Sequence, residues 1–178
     1  MMSCEYSAAV NARDATQIVA AAAKCGPLQD QSEDVFALQE AVRSDRWDLV
    51  DAFLRTGTSL DITTHDDRST PLMWAAGQGQ ASMVRNLLRN GADLEKMDRL
   101  GRTAIFYAAA GQHAEVVGLL LESGANVKHR DLNGDSAADL ARYRTFRWKF
   151  PGVQVGGKYR TLFDTDVRRI LRNAMREP

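Results

Sequence analysis

The side chains that most often carry catalysis or bind metal ions are few and widely spaced in this sequence. They are the histidines His65, His113 and His129 and the cysteines Cys4 and Cys25. None of them has the spacing of zinc ligands, and no serine stands in a nucleophile motif. Gly156-Gly157-Lys158 contains part of a phosphate-binding loop, but Tyr159 replaces the Ser or Thr that the motif requires after the lysine. We therefore predict no catalytic residue, no metal site and no cofactor.

The C-terminal part of the sequence contains a segment rich in basic and aromatic side chains. Between residues 142 and 163 there are six basic residues and no acidic residue. The basic residues are Arg142, Arg144, Arg147, Lys149, Lys158 and Arg160, and the interleaved aromatic residues are Tyr143, Phe146, Trp148, Phe150, Tyr159 and Phe163. Such side chains pair with carboxylates or phosphates and stack on flat groups. The segment is either a docking element for an acidic protein, a site for nucleic acid or another phosphate-rich surface, or a cap over the end of the fold.

Charge is unevenly distributed, although the formal net charge is zero. Residues 1–135 contain 13 basic and 19 acidic residues, whereas residues 136–178 contain 10 basic and 4 acidic residues. The two parts of the chain therefore present opposite fields to a partner. No apolar run approaches the roughly 20 residues that span a bilayer, and two cysteines are too few for a disulfide framework. We expect free thiols and a cytoplasmic location, with nuclear and organellar locations left open.

Two motifs recur along the chain at one common spacing. The segment Thr70–Ala76 reads Thr-Pro-Leu-Met-Trp-Ala-Ala, and Thr103–Ala109 repeats it as Thr-Ala-Ile-Phe-Tyr-Ala-Ala. A shorter version follows at Ser136–Ala141, after the same interval. The second motif, Val84–Leu94, returns at Val117–Val127 with that interval as well. A common period in two motifs indicates an internal structural repeat.

Because both motifs share one register, the sequence closely resembles the ankyrin-repeat family, whose period is about 33 residues and whose signature is T-P-L-H-x-A. The resemblance covers most of the chain. It implies an all-α repeat solenoid, in which helix-turn-helix units stack and short β-hairpin-like tips project beside them. Thr70, Thr103 and Ser136 are predicted to cap the first helix of a unit. Met73 and Phe106 replace the usual histidine, so we expect its hydrogen bonds to be lost.

The resemblance implies a single domain over residues 1–178, built from five units. The units are a degenerate capping repeat at 4–30, repeats at 34–64, 66–97 and 99–130, and a closing repeat at 132–176. An unrelated amphipathic helix is the alternative for residues 4–30. The closing repeat carries an insertion at 145–163, since the pattern expected of its second helix begins only at Asp166.

Ankyrin proteins usually bind partners through the tips and the exposed face of the first helices. The corresponding tip residues here are Met97, Arg99, Leu100, Arg102, Arg130 and Leu132. The first-helix candidates are Trp74, Gln78 and Tyr107, and the candidates in the insertion are Arg147, Trp148, Lys149 and Tyr159. Trp74 and Tyr107 stand one repeat period apart and are either interface anchors or packing residues between adjacent repeats. The resemblance implies a structural role for His113, at the start of a second helix.

Taken together, these features predict a protein that binds another protein and catalyses nothing. The expected role is that of an adaptor, an assembly factor or a subunit of a larger complex, acting through the tips, the first-helix face and the insertion. The alternative is binding of nucleic acid or an acidic surface through the basic C-terminal segment, although we do not expect nucleic acid to be the main partner. We expect the chain alone to be monomeric.

Overall fold

The computed structural model describes residues 6–12, 14–28, 35–141 and 166–176, and in these ranges the chain forms ten helices and no β-strand. The helices are α1 (Tyr6–Asn11), α2 (Ala15–Cys25), α3 (Val35–Arg43), α4 (Trp47–Arg55), α5 (Pro71–Gln78), α6 (Ala81–Arg89), α7 (Ala104–Ala110), α8 (Ala114–Glu122), α9 (Ala137–Leu140) and α10 (Asp166–Arg176). Successive helices form pairs, and each pair lies within one of the five predicted units. The boundaries of those units remain a prediction.

The helix pairs stack in chain order. In one row α3 packs on α5, α5 on α7 and α7 on α9. In the second row α2 packs on α4, α6 on α8 and α8 on α10. Contacts between neighbouring pairs join their apolar faces into one continuous core, as expected when a single pair cannot bury its own apolar face. The predicted all-α repeat solenoid is confirmed.

Small side chains allow the first helices of adjacent repeats to approach each other closely. Four alanines of α5 and α7 are fully buried, namely Ala75, Ala76, Ala108 and Ala109. In the second row, Val84 and Leu87 of α6 lie three residues apart and are also fully buried. This spacing places both side chains on one face of the helix. The recurring motifs therefore mark the positions at which the repeats pack.

Two of the three predicted helix caps form. The Thr70 hydroxyl accepts a hydrogen bond from the backbone N–H of Met73 at 3.4 Å, and Ser136 caps α9 in the same way. Thr103 stands at the cap position of α7 without a capping bond from its side chain, so the prediction is wrong there. The Phe106 N–H, which a capping hydroxyl would accept, donates to the Thr103 carbonyl at 3.0 Å. The Met73 sulfur accepts a weak hydrogen bond from the Thr70 N–H at 3.4 Å.

The tips are short turns rather than paired strands. Each is closed by a backbone hydrogen bond, from Thr64 to Ser69 (3.2 Å) in the first tip and from Asp98 to Arg102 (3.0 Å) in the second. The third tip closes from Asp131 to Asp135 at 2.9 Å. Such turns leave room for little strand pairing, and an isolated antiparallel bridge, between Arg130 and Ser136, is present.

Two further expectations concern the environment of the chain. Cys25 is disulfide-bonded, so the prediction of a free thiol is wrong for this residue, while Cys4 lies outside the described residues. The cytoplasmic location therefore loses the support that free thiols would give and remains a prediction. Among the helices of the described ranges, none has both the length and the apolar character to cross a bilayer.

Candidate protein-interaction surface

The second and third tips carry exposed apolar side chains flanked by arginines. Met97, Leu100 and Leu132 are 45%, 42% and 77% exposed. Arg99 and Arg130 lie beside them and are also exposed. We call these five residues the tip surface. All five are binding candidates from the sequence, and the structure places them on neighbouring tips.

Backbone hydrogen bonds between tips hold this surface in place. The Arg99 N–H donates to the Asp67 carbonyl at 2.9 Å, and the Leu132 N–H donates to the Leu100 carbonyl at 2.9 Å. Each tip is therefore fastened to the one before it. Because the backbone is fixed in this way, the tips lose little backbone conformational entropy when they meet a partner.

Arg102 is not part of this exposed surface, contrary to the sequence prediction. Its side chain is 10% exposed, and its Nε donates to Oδ2 of Asp131 at 2.9 Å. Oδ1 of Asp131 accepts the backbone N–H groups of Asn133 and Asp135 at 2.9 and 3.0 Å. The arginine turns inward because it joins the second tip to a carboxylate that is itself fully buried in the third.

The Asp131 carboxylate is held in its charged form. Burial alone would raise its pKa, but hydrogen bonds from Arg102 and from the N–H groups of Asp135 and Asn133 outweigh burial, and the pKa lies below its ordinary value. A group whose pKa is lowered by folding stabilises the fold above its unfolded pKa. That contribution is lost as the pH falls through the folded pKa.

Trp74 and Tyr107 are buried in the stack and do not form an exposed aromatic face. Trp74 is fully buried, and its Nε1 donates to the Ser69 hydroxyl at 2.6 Å. Tyr107 is 5% exposed, and its hydroxyl donates to Oδ2 of Asp98 at 2.7 Å. Burial and the charge of Asp98 raise the pKa of Tyr107, so the phenol remains a donor. The structure therefore assigns both rings to packing, because each polar atom finds its partner in the preceding tip.

The remaining candidates are less accessible or lie outside the described ranges. Gln78 is half-buried, and among the described residues its buried Nε2 has no hydrogen-bond partner. The four candidates of the insertion, Arg147, Trp148, Lys149 and Tyr159, lie outside the described residues, as does the whole of 145–163. Their role in binding remains a prediction.

The three histidines have separate surroundings. His129 shares a 2.8 Å hydrogen bond between Nε2 and the Gly101 carbonyl, and its ring meets Phe106 edge-on at 5.8 Å. His65 is exposed and lies 3.6 Å from the Asp66 carboxylate. In the part of the chain that the structure describes, no group of His, Cys, Asp and Glu is arranged to hold a metal ion.

His113 connects two adjacent repeats, and the structural role predicted for it is confirmed. It stands at the N-cap of α8, and its Nε2 shares a 3.0 Å hydrogen bond with the Gly77 carbonyl of the preceding repeat. The ring fills the space beside Gly79, where an added Cβ would lie 2.4 Å from Nδ1. Gly79 also has a φ of +73°, in the left-handed region. A side chain at Gly79 would therefore meet both a strained backbone and the imidazole.

We expect Gly79→Ala to destabilise the protein, with about 1–2 kcal/mol from the left-handed backbone alone. Displacement of the His113 ring adds to this cost. The matched control is Gly118→Ala in α8, where nothing lies within 4 Å of an added Cβ. This control should stabilise the helix by roughly 0.5–1 kcal/mol. Urea denaturation followed by circular dichroism measures both changes, and equal midpoints for the two variants would contradict the assignment.

Two features of the structure were not found from the sequence. Asp98 supports both the Tyr107 hydroxyl and, through Oδ1, the Arg102 N–H at 2.8 Å. The sequence pattern that could have identified this role is that Asp98 and Asp131 stand one repeat period apart. The other feature is Phe36, a large apolar residue 49% exposed on α3. The sequence pattern that could have identified it is the helical spacing that places Phe36 on the same face as Glu40 and Arg43.

Comparison with known proteins identifies the same type of repeat that the sequence and the fold indicate. The family model described as "Ankyrin repeats (3 copies)" matches residues 38–131. Human palmitoyltransferase ZDHHC17 is 38% identical, over 71% of this chain and 31% of its own length. Protein HOS4 of Saccharomyces cerevisiae is 37% identical over 42% of this chain and 7% of its own length. The mouse (Mus musculus) neurogenic locus notch homolog protein 1 is 36% identical over 50% of this chain and 4% of its own length.

The chain spans less than a third of the length of each of these relatives. Their names differ, and the repeat region is what they share with this chain. Since the matched model covers just over half of the sequence and the structure stacks paired helices at the same period, the chain belongs to the ankyrin-repeat family, whose repeats are protein-interaction modules.

Proposed function

We propose that this protein is a non-catalytic interaction module that binds a partner protein through the tip surface. The observation that carries the proposal is the 77% exposure of Leu132 on a tip whose backbone is fastened to its neighbour. Isolated leucines on a surface are common, but here Leu100 lies on the adjacent tip and arginines flank both. Methionine and arginine are enriched in protein interfaces, so Met97, Arg99 and Arg130 beside the exposed leucines favour a binding surface.

The proposal includes the basic and aromatic insertion at 145–163 as a second contact. Ten basic and four acidic residues between 136 and 178 favour an acidic surface on the partner. Apolar tips combined with a basic segment suit an adaptor, an assembly factor or a subunit of a larger complex. We propose that the chain alone is a monomer. Binding of nucleic acid through the same basic segment is the alternative.

The test is site-specific cross-linking. We expect a photo-reactive phenylalanine analogue placed at Leu132 to yield a protein adduct of one defined mass in cells that naturally contain the chain. The matched control places the same analogue at Val19 of α2, an apolar residue 47% exposed outside the tips. Leu100→Asp should abolish the adduct at position 132 without changing the midpoint of urea denaturation, because both tip leucines are exposed.

Three outcomes decide the proposal. An adduct at position 132 that is lost in Leu100→Asp supports the tip surface. Equal adducts from positions 132 and 19 would show that the tips have no preference and would overturn it. An adduct that nuclease removes would favour the nucleic-acid alternative.

A further inference from the structure

A cleft of about 250 Å³ opens on the N-terminal half of the stack, between α3 and the first tip. It is lined by Phe36, Glu40 and Arg43 of α3 and by Asp66 and Asp67 of the tip. We call it the α3 cleft. It shares no side chain with the tip surface, and the repeat motifs do not mark it.

The aromatic side of the cleft is formed by Phe36, a side chain of α3 that lies outside the hydrophobic core. Val35, Leu38 and Ala41 form the buried face of this helix. Phe36 lies off that face and is 49% exposed. A half-exposed phenylalanine that borders a cleft offers both an apolar surface and the negative face of its ring. Such a ring attracts a cation, and arginine most often.

The polar wall of the cleft is acidic. Glu40 pairs with Arg43 at 3.7 Å, and both side chains are about half exposed. Asp66 is 59% exposed, and Asp67 is fixed by hydrogen bonds to its Oδ1 from the Ser69 N–H and hydroxyl at 3.0 and 2.7 Å. Three carboxylates face one guanidinium, so the formal charge of the lining is −2 at neutral pH.

One basic residue of the second tip, Arg99, contacts the first tip. Arg99 donates from Nη2 to the His65 carbonyl at 2.5 Å and is not among the lining residues. The residues that line the cleft therefore have an excess of negative charge among themselves. The wider field has the same sign, because residues 1–135 contain 19 acidic and 13 basic residues.

We propose that the α3 cleft binds a short basic peptide segment of a partner protein, with an arginine stacked on Phe36 and paired with Asp66 and Asp67. The combination of a half-exposed ring with an excess of carboxylates matches the two faces of an arginine side chain, whose planar guanidinium stacks and whose N–H groups pair with carboxylates. The proposal is independent of the tip surface, since it uses other residues and a ligand of opposite charge.

The experiment uses the full chain labelled with ¹⁵N and the capped peptide Gly-Arg-Leu-Arg-Gly. We expect saturable chemical-shift changes at the backbone amides of residues 36–43 and 64–67. The same peptide with glutamate in place of both arginines should produce none. Phe36→Ala and Asp66→Asn should each weaken binding by about two- to fivefold.

Matched controls separate these effects from general changes. Val19→Ala removes another exposed apolar side chain and Glu122→Gln another acidic one, and neither should alter the affinity. Shift changes that map elsewhere, an unchanged affinity in the Phe36→Ala/Asp66→Asn double variant, or equal binding of the glutamate peptide would overturn the proposal. Leu100→Asp should leave peptide binding intact, which keeps this test separate from that of the tip surface.

Discussion

Replacing Arg102 with methionine is expected to lower the free energy of unfolding by about 3–5 kcal/mol, because the change leaves a buried carboxylate without its partner. Asp131 has no exposed side-chain surface, and Oδ2 receives its hydrogen bond from Arg102 alone among the bonds described for it. Methionine fills much of the same space but cannot donate. The loss therefore measures the unpaired charge rather than a cavity. Urea denaturation at pH 7 gives the value.

The second variant needed for this prediction is Asp131→Asn. An asparagine oxygen can still accept the N–H groups of Asn133 and Asp135, and the buried negative charge is gone. The Arg102→Met/Asp131→Asn double variant should therefore be more stable than Arg102→Met. If the double variant loses as much stability as the two single variants added together, the residues do not act as a pair.

The pair also predicts a pH dependence. Folding lowers the pKa of Asp131 below its ordinary value of 3.8, so its stabilising effect is complete above that value. As the pH falls through the folded pKa, the carboxylate takes up a proton and the effect is lost. The advantage of the wild-type protein over the double variant should therefore be constant near neutrality and shrink below about pH 4. An advantage that grows on acidification would contradict this assignment.

Trp74→Ala is expected to cost about 3–5 kcal/mol, the range for removal of a buried large aromatic side chain. Trp74 is fully buried between repeats, where α5 packs against α3 and α7. Loss of the indole leaves a cavity that three helices cannot close without moving. It also removes the hydrogen bond to the Ser69 hydroxyl. Thermal and urea denaturation both measure the effect.

Trp74→Phe is the matched control for the size of the ring. It keeps most of the apolar volume and loses the Nε1 donor, while the Ser69 hydroxyl still contacts the Asp67 carboxylate at 2.7 Å. We expect a cost of about 1–3 kcal/mol. If the alanine variant is no less stable than the phenylalanine variant, Trp74 is not a packing residue, and the alternative of an interface anchor regains its support.

The repeat period was sufficient to predict the stacked helices, but not the direction of the aromatic side chains. Trp74 and Tyr107 occupy equivalent places in the motif, and both are buried because a tip supplies a polar partner. Ser69 lies 5 residues before the tryptophan, whereas Asp98 lies 9 residues before the tyrosine. The two hydrogen-bond partners therefore do not occupy equivalent positions in the repeat, and the repeat period does not predict them.

The sequence was more informative about the tips than about the acidic cleft. Leu100 and Leu132 lie within aspartate-containing turns, and the structure leaves both exposed. Arg102 closes the same turn as Leu100 yet is buried, because its side chain pairs with Asp131 in the next repeat. Phe36 lies outside both recurring motifs. The carboxylates that complete the cleft around it belong to a tip that comes later in the chain, after α4.

The hydrogen bonds between tips join backbone atoms, so the arrangement of the tips does not depend on which side chains they carry. The bonds use the carbonyls of Asp67 and Leu100, which any residue would supply. The first tip closes over one residue more than the second, with Arg68 at a φ of +58°, and still meets Arg99 at 2.9 Å. Side chains at these positions can thus diversify, in evolution or in a designed library, while the edge that presents them keeps its geometry.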